Sequence, residues 1–341
     1  MKRIGGNAMV MKEVNINLVR KIMKSKGEAT KQQIAKETGL SAVTVGTILQ
    51  QLLQTSEVKE AELCSSSGGR PAQRFKYNGD YAYALILFPY EAAGQIIIRS
   101  TVVNLFGNRV FEQTDEVDDI DVACFEQIID SLIVSYPAIR AIGFGLPGAE
   151  WQGEIIVSDY KALIGVSILD DFRKRYGIPV IMENDVNAAV VGYCERKQIQ
   201  SDGAIVYLYF PDRFPPGAGI LINGKLFKGT RNFAGEIANI PLGIPWDEVK
   251  STTIPEQIEE AVVKLVISIC AVLNPDYIIL NGSFMEQESG RKVAEQCKQK
   301  LPASAVPEII ISEDFTADYL EGMIAQTLAT LEPDIVLSKV K

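Results

Sequence analysis

The chain has 341 residues, 47% of them hydrophobic, with 34 Lys and Arg against 43 Asp and Glu. That length exceeds one ordinary core and predicts two or three globular domains. The longest strongly apolar stretch, Val262 to Leu273, falls short of the roughly 20 residues a bilayer span requires and contains Lys264. The N-terminal MKRIGGNAMVMKEVN lacks the apolar core and cleavage site of a secretory signal. A cytoplasmic protein with no membrane partner is expected.

Cys64, Cys124, Cys194, Cys270 and Cys297 lie far apart with no CxxC pair, and histidine is absent. A structural zinc site wants soft or imidazole ligands, so zinc chemistry is excluded and scattered buried thiols are expected. Neither a metal nor a cofactor is expected. Charge divides unevenly: residues 1–80 hold 13 Lys and Arg against 7 Asp and Glu, while the remainder holds 21 against 36. A basic head on an acidic body points to a polyanionic partner for the head alone.

In the head, Ile16, Val19, Ile22 and Met23 recur at helical spacing until Gly27. Thr30 then caps a short helix, KQQIAKETG, ended by Gly39, and Ser41 caps a third. In this third helix Val43, Ile48, Leu49, Leu52 and Leu53 are expected to form the buried stripe, leaving Ala42, Thr44, Val45 and Thr47 small and partly exposed. Helix, glycine turn and capped helix make the helix-turn-helix pattern, whose second helix enters a major groove.

Two β-leaning segments follow, VKEAELC and RFKYN, flanking SSSGGRPAQ. This Gly- and Ser-rich loop should project as a wing carrying Arg70 and Arg74 towards phosphates or a minor groove. The candidate DNA-facing residues are Gln32, Ser41, Ala42, Thr44, Val45, Thr47, Arg70 and Arg74. The competing reading is a helical interaction module whose loop is only a linker.

From residue 82 apolar runs (YALILF, IIIRSTVV, AIRAIGFGLPG, IPVIM, AIVYLYF, GILING, DYIILNG) alternate with helical stretches at 121–135, 165–175, 186–197, 255–273, 286–300 and 314–331. The alternation predicts an α/β body of sheets covered by helices. Residues 83–110 and 204–229 resemble each other: each gives an apolar strand, a Phe-Pro break, a loop, a second apolar strand and a Gly-containing turn. Two such copies predict two lobes with a cleft between them. The expected division is a head at 1–80 and lobes at 81–190 and 191–341.

One stretch in the body stands out. GIPVIMENDVNAA at 177–189 carries a buried-type strand into Glu183-Asn184-Asp185 and then into a helix of small residues. An Asx residue at that junction serves as a helix N-cap, and a carboxylate beside an amide also matches sugar hydroxyls, which donate and accept. The two roles can coexist.

GGRPA at 68–72, GFGLPG at 143–148, GIPVIMENDVNAA at 177–189, GAGILINGKLFKG at 217–229, AGEIANIPLG at 234–243 and LNPDYIILNG at 273–282 together resemble the ROK family (repressor, open reading frame, kinase) in order across the chain. The resemblance implies a winged helix-turn-helix followed by a two-lobed, actin-like and hexokinase-like (ribonuclease H-like) body. It implies a sugar site at Gly148, Asn184, Asp185 and Glu236, in which an Asp at position 185 would act as base in an active kinase.

Several kinase features of the family are absent. Where a kinase carries Asp-x-Gly-x-Thr this chain has LFPYEAAGQ at 87–95, and where it carries Gly-Thr-Gly this chain has FPDRFPPGAG, with Pro211, Pro215 and Pro216 offering no N–H to a triphosphate. The resemblance places Asn239 at the position of the family's zinc-linked His, and the segment after it, IPLGIPWDEVKSTT, contains no Cys. The chain is therefore expected to be a catalytically inactive regulator with no catalytic residues. It should bind a double-stranded DNA operator as a dimer or tetramer and respond to a sugar or sugar derivative. The alternatives are a kinase using Glu91 or Asp212 as substitute Mg²⁺ partners, and a scaffold whose body only dimerises the head.

Overall fold

The computed structural model describes residues 8–64, 72–92, 95–151, 154–158, 160–212, 214–244, 246, 256–285 and 287–332. The head comprises α1 (Ala8–Lys26), β1 (Glu28–Thr30), α2 (Lys31–Thr38), α3 (Ala42–Gln54), β2 (Val58–Cys64) and β3 (Ala72–Tyr77). Its sheet runs β1-β3-β2, antiparallel throughout. The local signals act as expected. Thr30 and Gln33 form a reciprocal capping box, Gly39 ends α2 in the left-handed region, and Ser41 caps α3 by accepting from the Thr44 amide at 3.1 Å. β1 was not foreseen: the three residues Glu28–Thr30, the last of them the α2 cap, pair with β3.

Ile16, Val19 and Met23 of α1 pack with Ile34, Ile48, Leu49, Leu52 and Val58 in the head core. Beside this core Glu57, only 2% exposed, receives both Nε and Nη2 of Arg20 at 2.7 and 2.8 Å and the Tyr77 hydroxyl at 3.2 Å. Burial and the Glu57 charge hold the Tyr77 hydroxyl well above its ordinary pKa.

The first half of the body contains β4 (Tyr83–Ala92), β5 (Gln95–Asn104), β6 (Arg109–Val117), α4 (Val122–Ser135), β7 (Ile139–Gly145), the hairpin β8 (Gly148–Trp151) and β9 (Glu154–Ser158), α5 (Ile168–Tyr176) and β10 (Val180–Glu183). Then follow α6 (Asp185–Lys197), β11 (Ala204–Phe210), β12 (Gly217–Ile222), β13 (Lys225–Leu226), α7 (Glu256–Leu273), β14 (Tyr277–Gly282), α8 (Gln287–Lys300), β15 (Glu308–Ile311) and α9 (Phe315–Ala329). The two five-stranded sheets run β10-β7-β4-β5-β6 and β13-β12-β11-β14-β15. In each, the first strand pairs antiparallel with the second and parallel with the fourth, so one actin-like order occurs twice. The internal resemblance between 83–110 and 204–229 marks the opening hairpin of each copy.

The copies differ at their Phe-Pro dipeptides. β11 stops at Phe210, as expected, but β4 runs through Phe88 and Pro89 to Ala92, with Pro89 opposite Ile98. The expected break at Phe88-Pro89 is therefore absent. The pairing of β4 with β7 ends at Leu87, so beyond that point β4 has a free side where a residue without N–H is tolerated.

Alternation along the strands assigns their faces. Leu85 and Leu87 join the core under α4 and α5, whereas Ala84, Ile86 and Phe88 face α9. Val206, Leu208 and Phe210 face α7 and α8, whereas Ile205 and Tyr207 face α6. Thus α6 and α9 form the central layer between the sheets. They cross at glycines: a Cβ on Gly192 would lie 1.8 Å from the Asp318 carbonyl oxygen, and one on Gly322 would lie 1.8 Å from that of Ala188. Beneath α9, Gly143 and Gly145 of β7 give the same clearance, since a Cβ there would lie 2.0 Å from Thr327 Oγ1 and 2.1 Å from the Tyr319 hydroxyl.

Beside the crossing, Asp318 is fully buried and receives Arg196 and Ser312, each at 2.5 Å, and the Tyr207 hydroxyl at 3.0 Å. Burial pushes its carboxyl pKa up, against the lowering effect of those donors. Burial also raises the thiols of Cys194, to about 12, and Cys270, to about 11, in keeping with buried, unreactive cysteines. No helix among the described residues is long and apolar enough to cross a membrane.

Gly192→Ala and Gly322→Ala should each cost roughly 1–3 kcal/mol of unfolding free energy by overpacking a backbone contact. Gly46→Ala, inside helix α3, should raise stability by about 0.5–1 kcal/mol, because its Cβ would meet only the flexible side chain of Lys31 from α2. Urea denaturation of the three variants checks both directions.

Candidate functional site

The carboxyl ends of β4, β7, β10 and β11 and the amino ends of α6 and α9 converge on a cleft of about 990 Å³ between the lobes. Gly148, Asn184, Asp185 and Glu236, separated by up to 88 positions, all line it. Asn184 closes the α6 amino end: its Oδ1 accepts from the amides of Val186 at 3.0 Å and Asn187 at 3.2 Å, while its Nδ2 donates to the Gly148 carbonyl at 3.3 Å. Capping and cleft lining are thus performed by one side chain. Asp185 Oδ1 also accepts from the Val186 amide, at 2.9 Å.

Glu236 reaches the cleft because Gly235, at φ 104°, turns the chain where its amide-plane oxygen accepts from the Ala218 amide at 2.8 Å. A Cβ on Gly235 would lie 2.1 Å from the Ala218 carbonyl oxygen, so only glycine fits. Asn239 is not among the lining residues; its Nδ2 donates to the Glu236 carbonyl at 3.3 Å.

Several lining residues were given no role by the sequence reading. Glu183 is 5% exposed and pairs with Lys228 Nζ at 2.6 Å, joining the end of β10 in one lobe to the turn after β13 in the other. Its Oε1 also accepts from Asn187 Nδ2 at 3.2 Å. An acid closing an apolar strand and a lysine in the Gly-Lys-Leu-Phe-Lys-Gly turn were the available signals, but nothing in the sequence pairs them. Phe88, Tyr209, Phe315 and Tyr319 form an aromatic wall, with Tyr209 stacked on Phe315 at 3.6 Å and Phe88 near Tyr319 at 4.9 Å. Burial and the nearby Asp185 raise the hydroxyl pKa values of Tyr209 and Tyr319.

Around the cleft, residues 87–92 of the segment expected to replace the first phosphate loop are strand: Glu91 stands opposite Ile96 in the β4–β5 ladder. Pro211, Pro215 and Pro216 line the cleft in the second, and Asp212 accepts from Ser283 Oγ at 2.5 Å.

The head presents a second candidate surface. Gln32, Ser41, Ala42 and Thr47 are exposed and Thr44 is half-buried. Ser41 and Thr44 hydroxyls meet at 2.9 Å, and Thr47 donates to the Val43 carbonyl at 3.2 Å. Val45 departs from expectation: it is fully buried and belongs to the core, whereas Val43 is 79% exposed. The buried stripe runs Val45, Ile48, Leu49, Leu52 at helical spacing, which turns Val43 to the outer face. Arg74 lies in β3 opposite Thr30, not in a projecting loop, and its Nε donates to Glu28 Oε1 at 2.9 Å. Arg70 lies outside the described residues.

Comparisons with known proteins agree with this architecture. Residues 108–248 match the ROK family profile, and the chain carries a ROK family domain. It is 24% identical over 254 residues to the xylose repressor of Caldicellulosiruptor bescii, covering 71% of this chain and 62% of that protein. It is also 24% identical over 249 residues to the DNA-binding transcriptional dual regulator NagC of Escherichia coli, covering 70% and 60%. The chain thus spans less than two thirds of the length of either relative.

Among solved structures, a ROK family transcriptional regulator described as a homolog of the Escherichia coli MLC protein aligns over 94% of this chain and 97% of its own, with TM-score 0.64 and 18% identity. A ROK hexokinase from Thermus thermophilus aligns over 73% and 99%, with TM-score 0.55 and 13% identity. Both share the fold.

Lys228→Met should destabilise the protein by roughly 1–3 kcal/mol, because it strands the buried Glu183 carboxylate. Adding Glu183→Gln should recover most of that loss. Chemical denaturation of both single variants and the double variant measures the coupling.

Proposed function

We propose that the chain is a sugar-responsive transcriptional regulator, acting as a repressor of carbohydrate-related genes from the cytoplasm. Its head, residues 1–80, would act as a winged helix-turn-helix on duplex DNA; lobes 81–190 and 191–341 would hold the effector and join two or more copies. The observation that carries this reading is the outer face of α3: Ser41, Ala42, Val43 and Thr47 are exposed at the capped start of a helix whose opposite face is fully packed. Small side chains there permit close approach to base edges. The basic balance of residues 1–80 supplies the phosphate attraction. The repressor names of the relatives and the 94% overlap with a regulator structure support the same assignment.

The cleft is proposed as the effector site, with Asn184, Asp185 and Glu236 receiving sugar hydroxyls and Gly148 allowing close approach. Phosphoryl transfer is not part of the proposal. It depends almost wholly on positioned donors and charge neutralisation around a triphosphate. The continuous β4 strand and the three cleft prolines supply few amides for that task.

The test is selection of bound sequences from a random duplex library by the full chain, followed by affinity measurement. A paired, inverted site should emerge, and Thr47→Ala or Val43→Ala should weaken its binding by about 1 kcal/mol, at the low end for a base-reading contact. Recovery of no enriched sequence rejects the DNA assignment. Asp185→Asn should retain operator binding and lose release by sugar; a variant that still responds removes Asp185 from the effector site.

A further inference from the structure

Helix α3, AVTVGTILQQLLQ, contains no charged residue and no asparagine; its polar side chains are those of two threonines and three glutamines. Its buried side carries Val45, Ile48, Leu49 and Leu52, so the opposite side is made by Val43, Gly46, Thr47 and Gln50, spaced i, i+3, i+4 and i+7. Val43, Thr47 and Gln50 are exposed. This is the spacing at which one face of a helix meets successive base edges in a major groove.

Elimination narrows what such a face reads. Guanine is recognised chiefly by Arg or Lys donating to O6 and N7, and cytosine by a carboxylate accepting from N4. Helix α3 has neither group. Adenine is recognised by an amide that accepts from N6 and donates to N7, and thymine by apolar contact with its methyl group. Both of these are present, as Gln50 and as Val43, which is 79% exposed. The Thr47 hydroxyl donates within the helix, to the Val43 carbonyl at 3.2 Å, so its proton is not offered to a base.

A cation borders the same face from outside the helix. Lys31, at the start of α2, lies across Gly46: a Cβ on that glycine would stand 3.4 Å from Lys31 Cδ and 3.8 Å from its Nζ. Lys24, Lys26 and Arg74 of the head are each tied to an acid, whereas the exposed Lys31 has no ion pair among the described residues. The first helix of a helix-turn-helix crosses the sugar-phosphate backbone, which sets this ammonium against a phosphate.

We infer that the outer face of α3 is specific for A·T pairs: Gln50 bonds adenine at N6 and N7, Val43 packs on a thymine methyl, and Lys31 binds a phosphate without selecting a base. This rests on the DNA reading above and adds the chemistry of the half-site.

Enrichment of duplexes from a random library by the full chain, followed by titration of base analogues placed in the enriched site, tests it. At one adenine, 7-deazaadenine, which lacks N7, should weaken wild-type binding about five- to tenfold and leave the affinity of Gln50→Ala unchanged. At one thymine, uracil, which lacks the methyl, should weaken wild-type binding about fivefold and leave that of Val43→Ala unchanged. Gln50→Lys should move the preferred base at its position from adenine to guanine, a gain that misfolding cannot produce. Lys31→Ala should weaken binding to every sequence alike and reduce the slope of log affinity against log salt by about 1.

An unchanged base preference in Gln50→Lys overturns the adenine assignment while DNA binding stands. Equal loss on uracil in wild type and Val43→Ala removes Val43 from the thymine contact. A changed base preference in Lys31→Ala overturns its phosphate role. A library from which no sequence is enriched overturns the DNA reading itself, and this inference with it.

Discussion

Everything in the body depends on how closely α6 and α9 cross. At Gly192 and Gly322 the backbone of each helix occupies the space where the other would carry a Cβ, so the two rods meet at a distance that no other residue permits. Each rod belongs to both lobes. Helix α6 leaves β10 of the first sheet and packs on β11 and β12 of the second; α9 leaves β15 of the second sheet and packs on β4 and β7 of the first. The crossing makes the two sheets one object with a cleft at a defined end. The buried Asp318, tied to Arg196, Tyr207 and Ser312, fixes the rotation of α9 at the same point.

That arrangement sets what reaches the cleft. The capped start of α6 delivers Asn184 and Asp185, and the start of α9 delivers Phe315, Thr316 and Tyr319. The far end of α9, with 15 residues and about 22 Å of helix between, meets the head. There Leu328 and Leu331 pack against the head core with Leu105, and Lys24 of α1 pairs with Glu332. One helix therefore touches the candidate effector site at one end and the candidate DNA-binding unit at the other. A rigid element in that position transmits whatever difference in free energy a ligand has for its two placements, and nothing if the ligand has none.

Legibility in the sequence followed the strength of the local physics. Caps and turns were readable because their causes are local: Thr30 with Gln33, Gly39, Ser41 and Asn184 behave as their residue types dictate. The duplicated hairpin was readable because apolar strands recur with the same punctuation. β6 was missed because RVFEQTDEV alternates between exposed and half-buried polar residues at a sheet edge and has no apolar run. Val43 and Val45 were exchanged although the spacing of Val45, Ile48, Leu49 and Leu52 already puts Val45 on the buried stripe and Val43 off it. Among the cleft residues, Asn184 and Asp185 were legible by motif. Lys228 and Tyr319 were not, since each meets the cleft from an element far along the chain from Glu183.

Pro89 and Pro211 show how one dipeptide acquires two structural meanings. After Phe210 the chain has no continuing ladder to join, and proline opens a loop at the cleft. After Phe88 the β5 partner continues, and the side from which Pro89 withholds its N–H has already lost β7, so the strand extends over the cleft instead of curling around it. A loop that curls offers several amides to one point; a paired strand spends alternate amides on its neighbour and turns the rest away. In this chain the first hairpin is paired from Tyr83 and Asn104 to Ala92 and Gln95, and its strand brings Phe88 and Tyr90 to the cleft where a curled loop would bring amides.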